Sequence, residues 1–428
     1  YRRQRQMCIR DSIIVLPVLA VLIVVIMRRA FPQFRTLQEK LEALNSCIQE
    51  GLVGIRLIKS FVRGDYEEMR FEKRNQQLKE ANLTAMKTML LYTPLMTLAL
   101  NITTVVVVWS GGNMIVAGNM QVGDLTAFTN YIVQIMSSLT MLSIAFLNWA
   151  RAIASFRRVG EVLDEKIDLT DENAKHKDRA VCEGSVEFQN VSFRYYKNSP
   201  EWVIENISFK LEAGKTLGII GSTGSGKSTL VSMIPRLYDT DEGTVLVDGI
   251  NVRDYGLKPL REGIGMVLQN NTLFSGSITE NLKWGDEHAD EKAVRKAAQN
   301  AQAAGFIDSF KDGYRTRLEQ SGNNVSGGQK QRLCIARALL KCPKILILDD
   351  STSAVDTATE RAIREALHSE YKDMTKIIIA QRIRSVMDAD EILVLDNGKT
   401  AGFGTHEQLL ADCPVYREIY DVQNGREE

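Results

Sequence analysis

Hydrophobic positions change rhythm part-way along this chain. Between Thr88 and Gly123 there is no charged residue, and between Leu125 and Ala150 there is again none. As a helix, each stretch is long enough to cross a hydrocarbon layer of about 30 Å. Asp124 is expected in the short turn between them, and Ile13 to Met27 forms a third, shorter apolar run. Arg28, Arg29 and Arg35 follow the first run, and Arg151, Arg157 and Arg158 follow the last. Basic residues collect on the cytoplasmic side of a membrane, so the 111–124 turn is expected to face outward. Thr36 to Lys87 is a charged helical pattern broken at Gly51-Leu52-Val53-Gly54. Asn101, Thr103, Thr104, Asn130, Gln134 and Ser137 within the uncharged stretches either line a cavity or bond between helices.

Beyond a polar, charged segment at 164–182, apolar runs become short and end in Gly, Ser or Asp. Leu217 to Ile220 predicts a buried strand and Leu230 to Ile234 a helix, and between them stands Gly221-Ser222-Thr223-Gly224-Ser225-Gly226-Lys227-Ser228-Thr229. This fits G-x-x-x-x-G-K-[ST], in which glycines let backbone N–H groups converge on phosphate oxygens. Lys227 neutralises the phosphate charge, Ser228 offers its hydroxyl to Mg²⁺, and the helix N-terminus adds partial positive charge. Lys344 to Leu348 reads as a strand covered on both faces, ending in Asp349-Asp350. Ligands bind beyond such strand ends, so Asp349 is expected to hold Mg²⁺ through water and Asp350 to sit where a base orients the attacking water.

Further motifs follow in order. Tyr195 lies in Val191-Ser192-Phe193-Arg194-Tyr195, Gln269 in Met266-Val267-Leu268-Gln269-Asn270, and Val325-Ser326-Gly327-Gly328-Gln329 precedes the Asp349 strand. Ser353-Ala354-Val355-Asp356 comes after it. Taken together, Val186 to Leu410 resembles the ATP-binding domain of the ATP-binding cassette transporters, in the exporter type that fuses it to membrane helices. The resemblance implies an α-helical transmembrane segment plus an α/β P-loop NTPase domain, with ATP and Mg²⁺ as cofactors. It assigns adenine stacking to Tyr195, although Phe-x-Tyr on a strand is otherwise ordinary packing. It assigns nucleotide contacts to Ser222 through Thr229 and to Gln269, the last also as a Mg²⁺ ligand. Ser326, Gly327, Gly328 and Gln329, with Asp356, would serve an ATP held on a partner chain, because the two domains of this family meet head to tail. Gly54 to Phe61 resembles a helix that docks on the partner's ATPase domain, the alternative being a plain solvated hairpin.

Two positions depart from the family pattern. Asp350 stands where Glu is usual, and Gln381, in Ile377-Ile378-Ile379-Ala380-Gln381-Arg382, stands where His is usual. The shorter carboxylate is drawn back by about 1 Å, a misplacement that can cost about a hundredfold in rate. Gln381 hydrogen-bonds but cannot ionise as imidazole does. None of His176, His288, His368 and His406 lies in that motif. With Ser326 to Gln329 intact, the combination resembles the slow-site half of a heterodimeric exporter in the cytoplasmic membrane. The alternatives are a homodimer using Asp350 as base and an ATP-binding subunit that gates a partner.

Composition then excludes more than it assigns. A balance of 53 basic and 53 acidic residues argues against a nucleic-acid surface. The six cysteines, Cys8, Cys47, Cys182, Cys334, Cys342 and Cys413, show no C-x-x-C spacing and read as reduced thiols. Residues 1–12, including Met7-Cys8-Ile9-Arg10-Asp11-Ser12, resemble translated sequencing adapter and are expected to be non-native. The expected division is a partial transmembrane domain at 13–163, corresponding to the last three of six helices, a linker at 164–182 and the ATPase domain at 183–428. The transported substrate is not readable.

Overall fold

The computed structural model describes residues 32–118, 120–351 and 355–425, together with 21, 28 and 29. The chain divides into two compact units between Glu165 and Lys166.

The first unit is helical. Helix α1 covers 32–53, α2 is Ile55–Ser60, α3 is Gly64–Val116 and α4 is Val122–Leu163. The helical pattern breaks where the sequence indicates, at Gly54, whose N–H still reaches Glu50 O at 2.8 Å. Helices α1 and α3 run antiparallel, tied by Thr88 to Gln33 (2.6 Å) near one end and by Arg70 to Glu50 near the other. At about 1.5 Å per residue, the 53 residues of α3 extend roughly 80 Å, well beyond a bilayer core. At the α3–α4 hairpin the helices approach so closely that a Cβ on Gly111 would lie 2.5 Å from Leu125 Cδ1.

Asp124 is not in the turn, as its sequence position implies. It is the third residue of α4, where its carboxylate accepts the Gln121 N–H at 3.3 Å and closes a capping box. Thr104 and Ser137 bond within their own helices. Their hydroxyls donate to carbonyls one turn back in their own helices, Leu100 O at 2.9 Å and Val133 O at 3.0 Å. Among the described residues no helix is long and apolar enough to cross a membrane. The uncharged stretches do fall in α3 and α4, while 13–27, apart from residue 21, lies outside the described residues, as does 1–12.

The second unit is α/β. Its elements in order are β1 (Val186–Phe193), β2 (Ile204–Leu211), β3 (Thr216–Gly221), α5 (Lys227–Ser232), β4 (Glu242–Val247), β5 (Ile250–Asn251), α6 (Leu257–Glu262), β6 (Ile264–Val267) and β7 (Gly276–Ser277). There follow α7 (Ile278–Leu282), α8 (Glu291–Asn300), α9 (Ala304–Ser309), β8 (Arg317–Leu318), α10 (Gly327–Leu340), β9 (Ile345–Asp349), α11 (Thr357–Glu370) and β10 (Thr375–Ile379). The unit ends with β11 (Glu391–Asp396), β12 (Lys399–Gly404), α12 (His406–Asp412) and α13 (Pro414–Asn424).

The main sheet has the order β12-β11-β3-β10-β9-β6, with all neighbours parallel except β11 and β12. Every residue of β9 is buried, which is why its sequence is a continuous apolar run instead of an alternation. A second, antiparallel sheet has the order β2-β1-β4-β5, and the apolar faces of the two sheets meet in one core around Phe188, Leu211, Leu217 and Ile347. Helices α8 and α9 pack with α10 in a second core.

The polar stretch ahead of β1 is strapped to this unit. His176 N bonds Asp254 O at 2.7 Å, and Asp171 accepts the Leu257 N–H at 3.1 Å. Asp248 then accepts the N–H groups of Cys182, Glu183, Gly184 and Ser185 at 2.7–3.1 Å. Among the described residues Cys47, Cys182, Cys334, Cys342 and Cys413 are free thiols.

Candidate functional site

Sheet order assembles the site. Strand β10 lies between β3 and β9, with Ile379 in register with Ile219 on one side and Asp349 on the other. Three carboxyl ends therefore stop side by side: the glycine loop after β3, the Asp349-Asp350 pair at the end of β9, and Gln381 just past β10. They open onto a cleft of about 200 Å³ whose lining includes Thr223, Lys227, Ser228, Gln269, Asp350 and Gln381. Gly224, Gly226, Thr229, Asp349 and Ile379 also line it, joined by Val203, which no motif indicates.

The loop's conformation demands its glycines. Gly226 has φ 90°, and a Cβ there would meet Ile204 Cγ2 at 2.6 Å and the Val203 carbonyl at 2.9 Å. Lys227 begins α5 and folds back, donating to Gly221 O at 2.9 Å and Ser222 O at 2.7 Å. Ser225 is buried beneath the loop, 3.5 Å from the same ammonium. Ser228 Oγ donates to Asp349 Oδ1 at 3.0 Å, joining the two strand ends. Tyr195 and Thr229 share a hydroxyl–hydroxyl bond of 2.9 Å, and Tyr195 stands edge-on to Phe193 and Tyr238. Its ring is half exposed beside the loop helix.

Asp350 and Gln381 touch. Gln381 Nε2 donates to Asp350 Oδ2 at 2.9 Å. Asp350 holds a left-handed φ of 45°, an uncommon state for a residue with a side chain, and its N–H bonds Ile379 O at 3.0 Å. Burial pushes the Asp350 carboxyl above its ordinary value and the Asp349 charge adds to this, while the Gln381 bond opposes it. Burial raises Asp349 as well, against the Ser228 bond and the Lys227 charge, and it lowers the Lys227 ammonium.

The remaining motif residues lie apart from the cleft. Ser326 caps α10, with reciprocal bonds between Ser326 N and Gln329 Oε1 (2.9 Å) and between Gln329 N and Ser326 Oγ (3.3 Å). Gly327 and Gly328 form the first turn of that helix. Asp356 caps α11 through the Thr359 N–H at 3.0 Å and hydroxyl at 2.7 Å. Ser353 and Ala354 lie outside the described residues.

The donor set suits a magnesium nucleotide. The cleft is lined by the glycine loop with the Lys227 ammonium, by the Asp349 and Asp350 carboxylates and by the Ser228 hydroxyl. The burial shifts on Lys227, Asp349 and Asp350 are those that an anion beside the first and a cation beside the others would offset. Among the described residues there is no group of three or more His, Cys, Asp or Glu that could hold a metal ion.

Family models match in two places: "ABC transporter" over 204–353 and "ABC transporter transmembrane region" over 12–139. Among curated relatives, the uncharacterized ABC transporter ATP-binding protein YfiB of Bacillus subtilis (strain 168) is 41% identical over 97% of this chain and 71% of its own length. The chain belongs to the ABC transporters. The putative multidrug export ATP-binding/permease protein YgaD of the same organism is 36% identical over 96% of this chain and 71% of its own length. A solved structure of a bacterial Atm1-family ABC exporter with ATP bound superposes with a TM-score of 0.86 at 28% identity, covering 97% of this chain and 73% of that one. This ABC exporter chain thus fuses a transmembrane region to an ATPase domain coupled to transport, and its family places it in a membrane.

Proposed function

We propose that this chain is one half of a dimeric ABC exporter, in which it binds ATP at a slow pocket of its own and lends its signature segment to a faster pocket on a different partner. The observation that carries this is the Gln381–Asp350 bond at 2.9 Å. An un-ionisable amide occupies the carboxylate that would otherwise orient water. By contrast, Ser326 to Gln329 is well formed at a helix N-terminus and absent from this chain's own cleft.

In the proposed cycle Lys227 exchanges the Gly221 and Ser222 carbonyls for phosphate oxygens. Ser228 and Gln269 would hold Mg²⁺, with Asp349 holding it through water, and the ion would supply charge neutralisation at the phosphate oxygens. Tyr195 presents its ring to adenine. Helix α2, at Ile55–Ser60, docks on the partner's ATPase domain and carries closure to the membrane helices. Helix α3 exposes Leu90, Val105 and Trp109, apolar surface suited to lipid or to neighbouring helices. A multi-pass arrangement with the ATPase domain in the cytoplasm follows from the basic residues flanking the apolar stretches.

A second reading has its own support. A partly buried carboxyl raised above its ordinary value is a better base, so Asp350 would serve a homodimer. Purifying the full-length chain alone, and co-purifying it with the half-transporter encoded beside it, separates the two. ATP hydrolysis that appears only in the mixture supports the slow pocket, and full-rate hydrolysis by the chain alone refutes it.

A further inference from the structure

We infer that Gln423, at the end of the C-terminal helix, is a positioning residue for the Asp350 pocket; the idea builds on the roles proposed above for Asp350 and Gln381. Past Ala380, whose N–H still bonds Ile219 O at 3.2 Å, the chain leaves the sheet. There the Gln423 carboxamide grips it twice. Its Oε1 accepts the Ile383 N–H at 2.8 Å, and its Nε2 donates to Gln381 O at 2.8 Å. A carboxamide alone among side chains of this length offers a donor and an acceptor that serve both groups. The clip fixes the main chain of the residue whose side chain then reaches Asp350 Oδ2 at 2.9 Å.

The clip has a firm base. Tyr416, two turns earlier on α13, is fully buried among Ile220, Ile392 and Val394, and its hydroxyl meets His406 Nδ1 at 2.7 Å. Ile220 belongs to β3, the strand that leads into the glycine loop. The helix that aims Gln381 is thus seated on the same plate that carries Lys227. Among the described residues the Gln423 carboxamide bonds the main chain of Gln381 and Ile383, so its effect on turnover passes through Gln381.

The test uses full-length dimers in which the other pocket is disabled at its phosphate-loop lysine, so that hydrolysis reports the Asp350 pocket alone. Single-turnover hydrolysis of γ-labelled ATP, with protein in excess, resolves slow rates. Gln423→Ala is expected to change the maximal rate by about fivefold or more, leave the half-saturating concentration within about twofold, and speed amide hydrogen exchange at 381–383. Gln423→Glu keeps the acceptor and loses the donor, so it should speed exchange less than alanine does. In a Gln381→Ala background, Gln423→Ala should have no further effect on rate. An unchanged maximal rate, or an equal loss in both backgrounds, would overturn the assignment. A high rate in the parent Asp350 pocket would refute the slow-site reading and still leave the Gln423 comparison readable.

Discussion

Lengthening the Asp350 side chain gives the sharpest test of the altered pocket. Asp350→Glu advances the carboxylate by about 1 Å, and misplacement of that order can account for about a hundredfold in rate. At about 1.36 kcal/mol per tenfold, this corresponds to roughly 2.7 kcal/mol of barrier. The gain is opposed, because Gln381 Nε2 already lies 2.9 Å from Asp350 Oδ2 and stands where the longer side chain must go. Displacing a hydrogen bond to a charged group costs about 1.5–3 kcal/mol. Asp350→Glu alone should therefore recover about tenfold or less, whereas Asp350→Glu with Gln381→His should recover close to about a hundredfold. The assay is single-turnover ATP hydrolysis in full-length dimers whose second pocket is disabled. If the single and double variants both hydrolyse no faster than the parent, geometry at these positions does not limit turnover and the reasoning fails.

Other outcomes can be checked alongside. Asp349→Asn should abolish most of the Mg²⁺ dependence of ATP binding while leaving Mg²⁺-free binding within about twofold, since it removes charge and keeps a partner for Ser228 at 3.0 Å; titration with and without EDTA measures this. Because burial raises the Asp350 carboxyl, the nucleotide-free folded state binds more protons than the unfolded chain, and this group's contribution to stability falls as pH climbs from the ordinary 3.8 through the raised value. Asp350→Asn should thus raise Tm at neutral pH, and the advantage should vanish below about pH 3.8. Asp248→Ala leaves four N–H groups without their shared acceptor and should cost about 3 kcal/mol or more in denaturant unfolding of the full chain.

Much of the ATPase unit is legible in sequence because its signals are local. Leu217–Ile220 and Lys344–Leu348 announce buried strands, and the glycine loop announces a helix start. What periodicity does not encode is which strands become neighbours. The placing of β10 between β3 and β9 brings Gln381 to Asp350, and neither residue's surroundings in sequence foretell that bond. Gln423 carries no motif at all, and its role depends on how α13 docks. Asp124 shows a smaller ambiguity: a charge between apolar stretches marks a turn or a helix's first turn equally well, and the capping bond decides for the latter.

One property of the main sheet bears on how the pocket moves. Lys227, Gln381 and Asp349 issue from adjoining inner strands locked in register, whereas Gln269 leaves β6, the outermost strand on that side, and is exposed. Three walls of the pocket thus rest on inner strands and the fourth on an edge strand. A cross-link restraining the segment around Gln269 is predicted to stall the cycle without harming the phosphate grip.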